Sequence, residues 1–132
     1  MLSTEQLSKL AAAQIGAIGT TQIQAITTTQ AAALTAAQAT GLTTAQISSL
    51  ESVDLAKLTT AVIAGLSATQ VGAIGTNQIQ SLSTTQVAAL TATQAAGLTT
   101  AQIAAMETSD VAKLSTAVIA GLTTTQVGAM TA

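Results

Sequence analysis

Bulky aliphatic side chains return along this chain at a fixed step of eight residues. Counted from Leu2, the octads begin LSTEQLSK, LAAAQIGA, IGTTQIQA and ITTTQAAA, and sixteen follow one another without an insertion. The first position is Leu, Ile or Met in every octad. The sixth is Ile, Val or Leu except at Ala31, Ala39 and Ala95, and the fifth is Gln in twelve of the sixteen. The other positions are mostly Thr, Ser, Ala and Gly.

Each octad reads as one helix start. In LTTAQI, the first Thr and the Gln three places later form the S/T-x-x-E/Q capping box, in which hydroxyl and carboxamide each satisfy a free amide at a helix N-terminus. Thr43 with Gln46 and Thr99 with Gln102 are the clear cases. Leu42 before the cap and Ile47 at the fourth helical position complete the pattern as an apolar pair that fixes the entry of the chain. The Gln column from Gln6 to Gln126 is therefore read as capping. Gly41, Gly65, Gly97 and Gly121 fill the eighth position, where a left-handed residue commonly ends a helix.

An uninterrupted helix fails a simple test. Eight residues at about 100° each leave a drift of about 80° per octad, so the leucines would spiral over the whole surface. No heptad or eleven-residue seam is present to bury them in a coiled coil. A bend in every octad returns Leu and Ile to one side each time, which makes an all-α solenoid of sixteen octapeptide repeats. A β-solenoid is the alternative, since Thr, Val and Ile favour strands. Its difficulty is parity: positions one and six point to opposite faces of a straight strand. Ala, Leu and Gln also favour helix.

A longer period lies above the octad. LAAAQIGA-IGTTQIQA at residue 10 returns as LSATQVGA-IGTNQIQS at residue 66, and LESVDLAK-LTTAVIAG at residue 50 returns as METSDVAK-LSTAVIAG at residue 106. The step is 56 residues, or seven octads, and marks either a duplicated block or a whole number of geometric turns. The chain thus reads as one continuous array over 2–129, with super-repeats at 10–65 and 66–121 and a truncated next repeat at 130–132.

Composition narrows the chemistry sharply. The 132 residues include no Phe, Trp, Tyr, His, Cys, Pro or Arg, so no side chain titrates near neutrality and no thiol is available as nucleophile. No enzyme, cofactor or catalytic residue is expected. Lys9, Lys57 and Lys113 are the only cations at a net charge of −2, too few to neutralise a phosphate backbone, so no nucleic-acid partner is expected. Mean hydropathy is +0.57, yet Thr, Gln and Ser interrupt every stretch of membrane-spanning length, so no membrane insertion is expected either.

Two kinds of octad depart from the pattern. Glu51, Asp54 and Lys57, and again Glu107, Asp110 and Lys113, bring charge in the order E-x-x-D-x-x-K. Acids at a helix start and a lysine near its end complement the helix dipole, which is the reading adopted. Calcium at Glu51/Asp54 and Glu107/Asp110 is the alternative, but it needs about six to eight oxygens, and no metal site is assigned. A paired-carboxylate catalyst would need a shifted pKa, and the sequence offers nothing apolar and bulky to shift one. In LTTAVIAG and LSTAVIAG, Val62 and Val118 replace Gln, and are expected to meet a neighbouring superhelical turn or another chain.

Octads of the form L-[ST]-[TA]-x-Q-[IV]-x-x, from Leu2 to Ala129, resemble the Leu/Thr/Ala/Gln-rich repeats of very large bacterial secreted or surface proteins, adhesin-like ones among them. That resemblance implies an extracellular or cell-surface spacer, stalk or filament segment. Its expected partners are copies of itself or neighbouring repeats, met through uncapped ends. The alternative function is a ligand-binding face for ice or carbohydrate, carried by threonines such as Thr43, Thr44, Thr99 and Thr100. So regular a sequence also fits a designed or consensus repeat protein.

Overall fold

The computed structural model describes residues 2–106 and 109–130 in full, and residue 108 by its backbone. Among them lie sixteen helices of four to six residues and no strand. In chain order they are Thr4–Ser8 (α1), Ala12–Gly16 (α2), Thr20–Gln24 (α3), Thr28–Ala33 (α4), Ala36–Ala39 (α5), Thr44–Ser49 (α6), Ser52–Leu55 (α7) and Thr60–Gly65 (α8). The second half continues with Ala68–Gly72 (α9), Thr76–Ser81 (α10), Thr84–Ala88 (α11), Ala92–Ala95 (α12), Thr100–Ala105 (α13), Thr108–Val111 (α14), Thr116–Gly121 (α15) and Thr124–Gly128 (α16). The fold is an all-α solenoid with one helix per octad.

Local chemistry sets both ends of each helix. At the start of α6, Thr43 is extended at φ −80° and ψ 162°, its hydroxyl accepts from Gln46 N, and the Gln46 side chain accepts from Thr43 N at 2.9 Å. The same box opens α13 from Thr99 and Gln102. Where Ala11, Gly19 or Gly75 stands at the cap, only the glutamine half forms. At the far end, the first-position N–H of the next octad donates to the sixth-position carbonyl, as in Leu42 to Ala39 at 3.1 Å and Leu66 to Ile63 at 3.3 Å. These three-residue closures tighten the last turn, and the chain then leaves in an extended conformation.

Glycine has a different task from the one its position suggests. No described residue has a positive φ, glycine included, so Gly41, Gly65, Gly97 and Gly121 are not left-handed caps. Gly41 and Gly97 instead lie where two turns cross with backbones touching: a Cβ on either would overlap the carbonyl of Ala12 or Ala68. Gly65 and Gly121 have more room, with Ala36 Cβ 3.4 Å and Ala92 O 3.6 Å from an added Cβ. The requirement is for close approach, not for a special dihedral.

Each helix packs on the helix three places along, as in α2 with α5, α5 with α8 and α12 with α15. First- and sixth-position side chains fill the space between turns. Ala31, Ala39 and Ala95 are as fully buried there as Ile47, Leu55 and Ile63, so the three alanines mark tight points in the core and not gaps in it.

Candidate functional site: the glutamine ladder between turns

The polar groups that hold one turn on the next come almost wholly from the fifth position. The Gln46 carboxamide oxygen is committed to its own cap, which leaves the nitrogen to donate to Ile15 O at 2.8 Å and Ile18 O at 2.7 Å. Gln38, Gln70, Gln78, Gln86, Gln94, Gln102 and Gln126 repeat this pattern at 2.6–3.0 Å, always reaching carbonyls 31 and 28 residues earlier. One side chain thus begins its own helix and closes the end of another. The carbonyls it reaches belong to the last helical turn and the bend, where backbone acceptors lack intrahelical donors.

This offset also dimensions the superhelix. Helix-to-helix packing steps by three octads while the clamp steps by 28 and 31 residues, so one turn takes about three and a half octads. Two turns make seven octads, which matches the 56-residue super-repeat. Residues 56 apart, alike in sequence, meet equivalent neighbours: Gly41 and Gly97 cross Ala12 and Ala68, and Gly65 and Gly121 face Ala36 and Ala92.

Val62 and Val118 stand in the clamp register and are fully buried within the chain. Counting back 31 and 28 residues, a glutamine at 62 would meet Ala31 O and Leu34 O. At these two helices Thr59 and Ser115 still cap through their hydroxyls, at 3.3 and 3.2 Å from the amides of Val62 and Val118. Thr43 and Thr99 spend their hydroxyls on caps, whereas Thr44 and Thr100 are exposed to solvent.

Asp54 corrects one expectation. It is only 2 % exposed, and its Oδ2 has no hydrogen-bond partner. Burial raises its pKa above the ordinary aspartate value, and the nearby charge of Glu51 adds to the rise. Aliphatic packing between turns therefore shifts a carboxyl without any bulky aromatic. Lys57 lies beyond the C-terminus of α7, whose last turn carries no basic residue, so the dipole arrangement is realised only at the acidic end. Asp110 is likewise buried, while Glu107 lies outside the described residues. Among the described residues no three acidic side chains converge on a point that could hold a metal ion.

A cavity of about 50 Å³ lies in the first turn, lined by Leu2, Leu7, Ile18, Gln22 and Ile26. Small-molecule sites run to about 300–1,000 Å³. No described helix is long and apolar enough to cross a membrane.

A family model described as the ALTTAQ repeat matches residues 47–84 and 103–132, just over half of the chain. The match includes the clamps Gln70, Gln78 and Gln126 and both valine octads. No curated protein and no solved structure matches the chain.

Proposed function

The chain belongs to the ALTTAQ repeat family, and from that premise we propose that it is a non-enzymatic structural module: a spacer, stalk or filament-forming segment of an extracellular or surface protein. The observation that carries this reading is the sameness of the contact between turns. With few exceptions, among them Ala31, Ala39 and Ala95 at the sixth position, every level uses the same aliphatic pair and the same carboxamide clamp, so length can grow without new chemistry.

The outermost turns of the described structure present the two halves of that contact. Gln6, Gln14 and Gln22 are exposed on one face, with Leu2 beside them. On the opposite face Ile119 and Val127 are 42 % and 50 % exposed, although interior sixth-position residues are sealed. A further turn, from the same polypeptide or from another copy, would seat on either face in the head-to-tail sense.

Electron microscopy and sedimentation over a concentration series test the proposal. Rods or filaments that lengthen with concentration are expected, with a helical repeat of about three and a half octads. Discrete particles of constant size would leave a spacer without self-association. Thermal hysteresis in ice-growth assays would replace both readings with the threonine face.

A further inference from the structure

Octads seven and eight interrupt the ladder twice in succession. Gln46 and Gln70 clamp on either side, but the residues between them in the fifth-position column are Asp54 and Val62. In the register of the clamps, the carbonyls 31 and 28 residues before Asp54 are those of Ile23 and Ile26. The Asp54 side chain is one methylene shorter than glutamine, it offers acceptor oxygens where the clamp offers donor hydrogens, and its buried Oδ2 is unpartnered. The helix that carries it, α7, packs against α4 and α10.

We propose that this joint is a proton-controlled seam: the two turns stay seated while Asp54 is neutral and part locally once it is charged. A charged Asp54 sets a buried carboxylate in the clamp column, with no donor on its Oδ2 to offset the cost of the charge. A neutral carboxyl removes that cost and supplies a hydrogen. No other titratable group intervenes from the packed elements, since α4 and α10 carry none, nor do α3, α6 and α8. On its own octad, Glu51 adds negative charge, and Lys57 is exposed beyond the helix. Val62 leaves the adjacent joint unclamped, so opening is confined to the chain between Ile23 and Leu34 beneath the two gaps.

Hydrogen exchange at single-residue resolution tests the seam. The amides of Ile26 and Leu34 close the helix ends beneath it, and those of Leu42 and Leu66 do the same where Gln70 and Gln94 clamp. Between pH 4 and 7.5, protection of Ile26 and Leu34, corrected for intrinsic rates, is expected to fall severalfold relative to Leu42 and Leu66, whose clamps carry no titratable group. In Asp54→Asn the pH dependence should vanish. In Asp54→Gln protection should match the clamped pair at every pH. A constant ratio in the native chain, an equal fall at all four amides, or the same fall in Asp54→Asn would each overturn the proposal.

Discussion

The carboxamide nitrogen of Gln94 lies 2.6 Å from the carbonyl oxygen of Ile63, 31 residues earlier, while the oxygen of the same carboxamide accepts from Thr91 N at 2.9 Å. The two atoms of one amide thus serve different helices in different turns. A charge change that reverses only one of them separates the two roles.

Replacing Gln94 by Glu keeps the capping acceptor and turns the clamp into an acceptor facing acceptors. Exposed Gln6 makes the capping bond and, among the described residues, no clamp. Gln94→Glu is expected to cost about 2–4 kcal/mol at pH 7, from two lost bonds and a Leu66 carbonyl left without a donor, since Ile63 O keeps the Leu66 N–H. Gln6→Glu should stay within about 0.5 kcal/mol of the native chain, because Glu is an equally good capping-box partner. Urea unfolding followed by far-ultraviolet circular dichroism measures both.

Glycine substitutions should divide by crossing geometry. Gly41→Ala and Gly97→Ala drive a methyl into backbone and should each cost about 1–3 kcal/mol or more. Gly65→Ala meets only ordinary contact near Ala36 and gains helix propensity, so it should be neutral or stabilising by up to about 1 kcal/mol. Thermal melts of the three variants provide the comparison. A large loss at Gly65 would contradict the assignment.

Val62→Gln should install a missing clamp, offering its nitrogen to Ala31 O and Leu34 O and its oxygen to the Thr59 amide. Each new bond contributes about 1 kcal/mol net, set against the burial lost with the valine. A raised melting midpoint is expected, and the double substitution with Val118→Gln should add to it. An unchanged midpoint would place these valines in contacts that a carboxamide cannot replace.

Acid should strengthen this solenoid. The folded pKa of Asp54 is raised, so its contribution to stability is fully present below the unfolded value of about 4 and is lost as pH rises through the folded value. The melting temperature is therefore expected to rise between pH 7 and pH 4, and Asp54→Asn should flatten that trend. Melts across this range in a constant-ionic-strength buffer check the sign.

Helix starts are legible in the sequence because a capping box is local: Thr43 and Gln46 are three residues apart, and both atoms of the pattern belong to side chains. The second role of Gln46 leaves no such mark. Its partners, Ile15 O and Ile18 O, are backbone atoms that any residue would supply, and the only trace is that 28 is half of 56. Gly41 illustrates a different ambiguity, since a left-handed cap and a backbone crossing both require glycine. Asp54 is hidden for a third reason: an acid near a helix start reads as a solvated charge until the neighbouring turn covers it.

A turn of three and a half octads means that each clamp lands on a joint of the course below, as bricks do in running bond. Gln46 spans the seam between the second and third octads, and Gln70 the seam between the fifth and sixth. Joints in successive courses are offset by half a unit, so no straight crack can run the length of the wall. A pull along the axis is shared by clamps on every side, and a defect such as the Asp54 and Val62 pair stays bounded by bonded courses above and below.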